Sequence, residues 1–218
     1  MTDLLNRLLI LGMKLIDLTH SIENNMQVYP GDRPPSLVQT HHINKDQYTD
    51  HQLTCGMHTG THIDGAWHMT DNSRFIDNEP LESFFGKACV IDIRNYTTFN
   101  NVDLLKKKAV GCSIVLFYTG FGKHFGSDKY PKDYPLLDIS IAKQLKILNI
   151  KLIGIDSLSP DTKPYETHKY LLSNGVLIAE NLTNLHLLPT DKHFEIIALP
   201  LKIKADSAPA RIVALLED

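Results

Sequence analysis

Gly56-Met57-His58-Thr59-Gly60-Thr61-His62-Ile63-Asp64-Gly65-Ala66-Trp67-His68 is the stretch from which the rest of the chain is best read. Its four potential metal ligands, His58, His62, Asp64 and His68, are separated by even offsets only. Side chains alternate faces along an extended chain, so even offsets place all four on one side. On a helix, at about 100° per residue, they would fan round the axis. Glycines at 56, 60 and 65 weaken a helix further. The spacing therefore predicts a strand running into a loop, with three imidazoles and one carboxylate converging. A desolvated cluster of that kind is costly unless something compensates. Neutral imidazole and carboxylate suit borderline divalent metals. Asp64, with two oxygens, is the natural bridge between two ions.

Outward from this stretch the chain reads as strands with a few helices between them. Met13 to Leu18 forms a first strand. Prolines and glycine in Tyr29-Pro30-Gly31-Asp32-Arg33-Pro34-Pro35 then forbid regular structure. Ser36 to Ile43 and Gln52 to Met57 are predicted strands, and Leu81 to Phe85 is at best a short helix. Lys87 to Ile93 and Ser113 to Tyr118 are nearly continuous apolar runs, the mark of strands buried on both faces. Helical spacing follows over Ser140 to Leu148, with Ser140 as its cap and Asn149 as its end. Leu152 to Ile155 is another buried strand, and Tyr165 to Asn174 a helix stopped at Asn174-Gly175. Val176 to Ile178 is a strand, Asn181 to Leu185 a turn of helix, and Phe194 to Leu201 and Ala210 to Leu215 the last strands. The expected fold class is α/β: a compact single domain, residues 13 to 218, with a mixed β-sheet core and a few flanking helices. Residues 1 to 12 read as an N-terminal extension, either a short amphipathic helix or residues preceding an alternative start at Met13.

Composition narrows the class. Of 218 residues, 43% are hydrophobic and 22% charged, and the net charge is -3. These are ordinary globular values. No dense basic stripe supports nucleic-acid binding, and Lys106 to Lys108 reads as a solvated helix end. No apolar run is long enough to span a bilayer. Cys55, Cys89 and Cys112 are odd in number and form no CxxC pair, which fits a reducing, cytoplasmic setting. There is no G-x-S-x-G elbow for a serine hydrolase.

One loop seldom supplies a whole metal site. His168, in the second helix, and Glu180, after the Val176 to Ile178 strand, are downstream candidates; taken alone they read equally as a surface residue and a helix cap. Asp156 ends a buried strand and is placed to orient a ligand or a loop. Ser157 and Ser159 read as loop residues that hydrogen-bond neighbours near the site, and Asp161 lies close by. Among the other histidines, His124 is the one expected to border a pocket.

Together these motifs resemble the cyclase superfamily, which includes bacterial kynurenine formamidases and isatin hydrolases. The resemblance runs from Leu15 onward, through Tyr29-Pro30-Gly31-Asp32, the Gly-Thr-His-x-Asp core, Thr119-Gly120, Gly154-Ile155-Asp156, Ser159, His168, Glu180, Leu199-Pro200-Leu201 and the segment from Asp206 to Arg211. It implies a two-metal amide hydrolase, zinc-dependent or manganese-dependent, usually a homo-oligomer (dimer or tetramer), acting on a small aromatic molecule in the manner of an arylformamidase. Opening of a cyclic amide and a non-catalytic metal-binding role are the alternatives. His58, His62, Asp64 and Glu180 resemble the ligands of a first metal, and Asp64, His168 and Glu180 those of a second. His68 resembles the proton donor or acceptor. Tyr29 falls where formamidases place a substrate-contacting tryptophan, and Trp67 and Phe121 are further candidate substrate contacts. Ala66 stands where the formamidase signature has proline, which would loosen the loop that carries His68.

Overall fold

The computed structural model describes residues 12–217; the N-terminal extension therefore lies outside the described residues, apart from Gly12. The strands, in chain order, begin with β1 (Met13–Asp17), β2 (Ser36–His41), β3 (Asp50–Thr54), β4 (His62–Asp64), β5 (Phe85–Asp92) and β6 (Thr98–Phe99). They continue with β7 (Ile114–Tyr118), β8 (Leu136–Leu137), β9 (Leu152–Ile155), β10 (Leu177–Glu180), β11 (Phe194–Pro200) and β12 (Ser207–Glu217). The helices are α1 (Ile43–Asp46), α2 (Val102–Lys108), α3 (Ile139–Ile147) and α4 (Glu166–Ser173).

Eight strands share one sheet in the order β1-β12-β11-β5-β7-β9-β10-β4, and β4 also pairs with β12. That second pairing, Ser207 opposite Asp64 and Pro209 opposite His62, closes the sheet into a barrel with β1 on its flank. Neighbours within β5-β7-β9-β10 run parallel, and the remaining pairs are antiparallel. The two halves bury their side chains differently. In the parallel half, Val90, Leu116, Leu152 and Leu177 fill the barrel, while Ile91, Phe117, Ile153 and Ile178 pack outward against Leu105 of α2, Ile141 and Leu145 of α3 and Leu171 of α4. Being buried on both faces is what makes these strands read as unbroken apolar runs. In the antiparallel half only one face is covered, and β11 alternates buried and exposed along its length.

Sequence patterning located most of these elements with shifts, but not α1, β6 or β8. The helix expected over Ser140 to Leu148 is α3, but its cap is Asp138, whose carboxylate accepts from the Ser140 amide. Asn149 ends it in the left-handed region at φ 56. The turn of helix expected at Asn181 to Leu185 falls instead at Leu185–Leu187. Strand β3 begins and ends earlier than expected, leaving residues 55 to 61 as turns. At Gly154 a Cβ would lie 2.6 Å from Leu116 Cδ2 and 2.7 Å from Leu182 Cδ1, so any larger residue would force both leucines to shift within the barrel interior.

Candidate metal centre

Strand β4 is only three residues long, and its period-two alternation sorts them. Ile63 enters the barrel core, while His62 and Asp64 face the opposite side. The extended reading holds for that pair alone. His58 reaches the same place from the turn before the strand and His68 from the turn after it, where the His68 amide donates to Gly65 O at 3.1 Å. Glu180 lies opposite His62 at the end of β10. His168 is on the buried face of α4. The six side chains named from the sequence are thus brought together from three separate stretches of the chain, 58–68, the helix at His168 and the strand end at Glu180.

Asp64 is at the centre, fully buried. Its Oδ1 lies 2.8 Å from His58 Nδ1 and 3.4 Å from His62 Nε2, and its Oδ2 lies 3.7 Å from His168 Nε2. Glu180 mirrors it, with Oε2 3.5 Å from His62 Nε2 and Oε1 3.2 Å from His168 Nε2. Each carboxylate therefore offers one oxygen to either side. The imidazoles are held from behind. His62 Nδ1 donates to Gly60 O at 2.8 Å, because a carbonyl can only accept; a neutral ring then turns an Nε2 lone pair inward. His168 Nδ1 is 2.5 Å from Asp161 Oδ1, and His58 Nε2 is 2.9 Å from Asp206 Oδ2. Oxygen acceptors behind the rings fix their tautomer and orientation, the arrangement that tunes metal-ligating histidines.

Burial alone would raise the Asp64 carboxyl, but His62, His168 and His58 around it hold it well below the usual carboxylate range. Burial pulls His58 down, yet hydrogen bonds to Asp206 and Asp64 outweigh it and raise it to about 10. The His58 hydrogen bond brings Asp206 down to about 2. For His68 burial dominates and lowers the pKa, which favours the neutral ring. His62 Nε2, Asp64 Oδ2 and Glu180 Oε1 are buried without a hydrogen-bond partner among the described residues. Three such orphans in one cluster are expensive unless a cation satisfies them. The nitrogen and oxygen donors fit a divalent metal: His62, Asp64 and Glu180 form one set with donor atoms within 4.8 Å of one another, and His58, Asp64 and His68 a second.

A cavity of about 250 Å³ opens over this cluster. Tyr29, as expected, is in its wall, and its hydroxyl meets that of Tyr165 at 2.9 Å. That hydrogen bond, with burial, pushes the Tyr29 phenol up to about 12. Trp67 and Phe121 are not in the wall. Trp67 stands 42% exposed, edge-on to Phe75, and Phe121 packs behind Leu158 with Tyr130 and Tyr134. His124 lies against Phe121, outside the cavity, correcting its expected position. Ser159 lines the cavity and its carbonyl accepts from Ser157 Oγ. Asp156 does orient a loop: it accepts from the Thr119 amide and hydroxyl and from the Gly120 amide. The loop with Ala66 in place of proline is held by hydrogen bonds from Thr70 Oγ1 to Ala66 O and from the Gly65 amide to Asp206 O.

Asp206, Asn181 and Tyr165 were not singled out as site residues from the sequence. Asp206 supports His58 and lies 3.5 Å from His68 Nδ1. Gly65 permits this: a Cβ there would sit 2.5 Å from Asp206 O. Asn181 donates to Gly60 O, the same carbonyl that orients His62. The one sequence hint was a carboxylate just ahead of the last strand.

A closed mixed barrel with a histidine–carboxylate cluster on its outer face, beneath a flanking helix, defines a class of metal-dependent hydrolases. The family model for a putative cyclase matches residues 16–162, and the chain belongs to that family. It is 32% identical over 203 residues to a kynurenine formamidase from Bacillus cereus, an alignment covering 91% of this chain and 95% of that one. A predicted metal-dependent hydrolase from Bacillus stearothermophilus superposes with a TM-score of 0.75 at 26% identity, over 93% of this chain and 98% of that one. Isatin hydrolase A from Labrenzia aggregata, bound to benzyl benzoate, superposes at 0.86 with 22% identity, over 100% and 99%; it shares the fold.

Proposed function

We propose that this metal-dependent amide hydrolase removes the formyl group from a small aryl formamide, using two divalent ions per subunit. His58, His62, Asp64 and Glu180 would hold the first ion, and Asp64, His168 and Glu180 the second. Zinc is favoured, with manganese the alternative; a mixed nitrogen and oxygen donor set accepts either. An ion held there supplies Lewis acidity and makes water acidic enough to lose a proton near neutral pH. The chain's own part is to place and move protons. His68, beside the cluster but braced only loosely by Asp206, takes the proton from the attacking water and returns it to the leaving nitrogen. Such a positioned base contributes about 10²–10⁴-fold. Its ring also lies within reach of Asp64, so metal retention in a His68 variant separates the two roles. Tyr29, Met69, Leu158 and Tyr165 give the cavity partly apolar, aromatic walls suited to one aromatic ring.

The observation that carries this reading is the Asp64 carboxylate set between two groups of imidazoles, with its Oδ2 unpartnered. The formamidase relative supplies the choice of bond. The test is hydrolysis by metal-loaded protein across N-formyl anilides, cyclic amides and simple esters. Preference for the anilides supports the proposal; preference for the cyclic amides, or no turnover of any, contradicts it. A homo-oligomer belongs to the same proposal, as does a cytoplasmic setting, which the three unpaired cysteines support. No helix among the described residues is long and apolar enough to cross a membrane.

A further inference from the structure

Behind the cavity wall a line of hydrogen bonds runs from a buried phenol to His62. Tyr130, on the connection between β7 and β8, is fully buried, and its hydroxyl lies 2.7 Å from Asn181 Oδ1. Asn181, itself buried, directly follows Glu180 in the chain. Its Nδ2 lies 3.0 Å from Gly60 O, which His62 Nδ1 meets at 2.8 Å. Donor and acceptor are fixed at every link. A carbonyl oxygen only accepts, so Gly60 O takes one proton from Asn181 and one from His62, using both lone pairs. The amide oxygen of Asn181 then faces Tyr130, and the phenol donates to it. Burial pushes the Tyr130 phenol well above its ordinary range, which keeps that proton in place.

The backbone reinforces the line. Asn181 stands in the left-handed region at φ 56, which asparagine tolerates better than most side chains. Thr61 Oγ1 donates to Asn181 O at 2.6 Å, so the peptide unit between Gly60 and Thr61 is clamped to residue 181 at both ends. Packing alone does not call for the Tyr130 hydroxyl. Its ring meets Phe125 edge-on at 5.1 Å and shares a cluster with Tyr134 and Leu158, contacts that a phenylalanine ring would also make. Deleting the hydroxyl would leave Asn181 Oδ1 buried and unpaired, which favours any amide rotamer that finds another partner over the one that holds Gly60.

We infer that Tyr130 and Asn181 are positioning residues: through the Gly60 carbonyl they hold the His62 ring with Nε2 turned to Asp64 and Glu180. The inference rests on the metal centre proposed above and adds to it a residue, Tyr130, that is not in the cavity wall.

Cobalt(II), whose visible bands report ligand geometry, is the probe, with affinity read by competition with a chelator. Tyr130→Phe and Asn181→Gly should each weaken cobalt binding by about 10–100-fold and shift the visible bands. Glycine at 181 keeps the left-handed backbone without strain and removes only the amide. Both side chains act along one line, so the double variant should lose no more affinity than Asn181→Gly alone. Tyr134→Phe, the same atom removed from the same cluster, should leave affinity and bands unchanged. A purely structural role would lower the melting temperature of the metal-free variants and leave their affinity and bands as in the wild type; that result would overturn the inference. Equal loss in Tyr134→Phe, or additive losses in the double variant, would overturn it too. Should Tyr130→Phe fail to fold, Asn181→Gly decides by the same readings. A folded wild type that binds no cobalt would overturn the metal centre and this inference with it, whereas normal wild-type binding beside unaffected variants overturns the inference alone.

Discussion

The floor and the mouth of the cavity are built to different standards. On the floor, His62, Asp64 and His168 are at most 2% exposed, and both rings are anchored through the nitrogen that faces away from the cluster. At the mouth, Tyr29 is 39% exposed and its one side-chain hydrogen bond is to another tyrosine. Side chains of the floor are buried and doubly tethered around the carboxylates, whereas the rim is exposed and held by a single side-chain hydrogen bond. A floor of this kind fails all at once when a member is removed, whereas a rim of this kind degrades by small steps.

The largest effect is expected at Asp64. Asp64→Ala should abolish metal retention and turnover together, read by elemental analysis and by formanilide hydrolysis. Next is His68→Ala, which should keep its metal and lose about 10²–10⁴-fold in kcat, since only a proton-transfer group is gone. Loss of metal in that variant would make His68 a ligand instead. Behind the ligands, Asp206→Asn and Asp161→Asn should each cost about 10–100-fold in metal affinity or activity, measured by competition with a chelator. Gly65→Ala drives a methyl group against Asp206 O and should destabilise the fold by about 1–3 kcal/mol in urea melts. The smallest effects belong to the rim. Tyr29→Phe should change KM by a few-fold with kcat nearly unchanged, and Trp67→Ala, remote from the cavity wall, should leave both within about twofold, as expected of surface changes. A large loss of kcat in either rim variant would erase the contrast between floor and rim.

What was legible in the sequence follows from range. The even offset of His62 and Asp64 and the unbroken apolar runs of β5, β7 and β9 are local signals that the structure realises nearly in place. His58 and His68 reach the cluster from turns rather than from an extended strand. Asp206, although part of a motif in the sequence, drew no site role because it meets His58 from 148 positions away. That meeting depends on β4 pairing with β12, and a three-residue strand carries too little pattern to announce its partner. Trp67 misled for the opposite reason. It adjoins His68 in sequence, yet the turn closed by Gly65 O sends the two side chains apart, His68 to the cluster and Trp67 to Phe75. Ser140 and Asp138 show the limit of boundary reading, since either side chain caps a helix well.

Metal stoichiometry, measured on intact wild-type protein and on Asp64→Ala after equilibration with excess zinc or manganese and desalting, tests the central claim most directly. The account predicts two ions per wild-type chain and none retained by the variant. Wild-type protein that is folded yet holds no ion, or a variant that holds as many as the wild type, would contradict it.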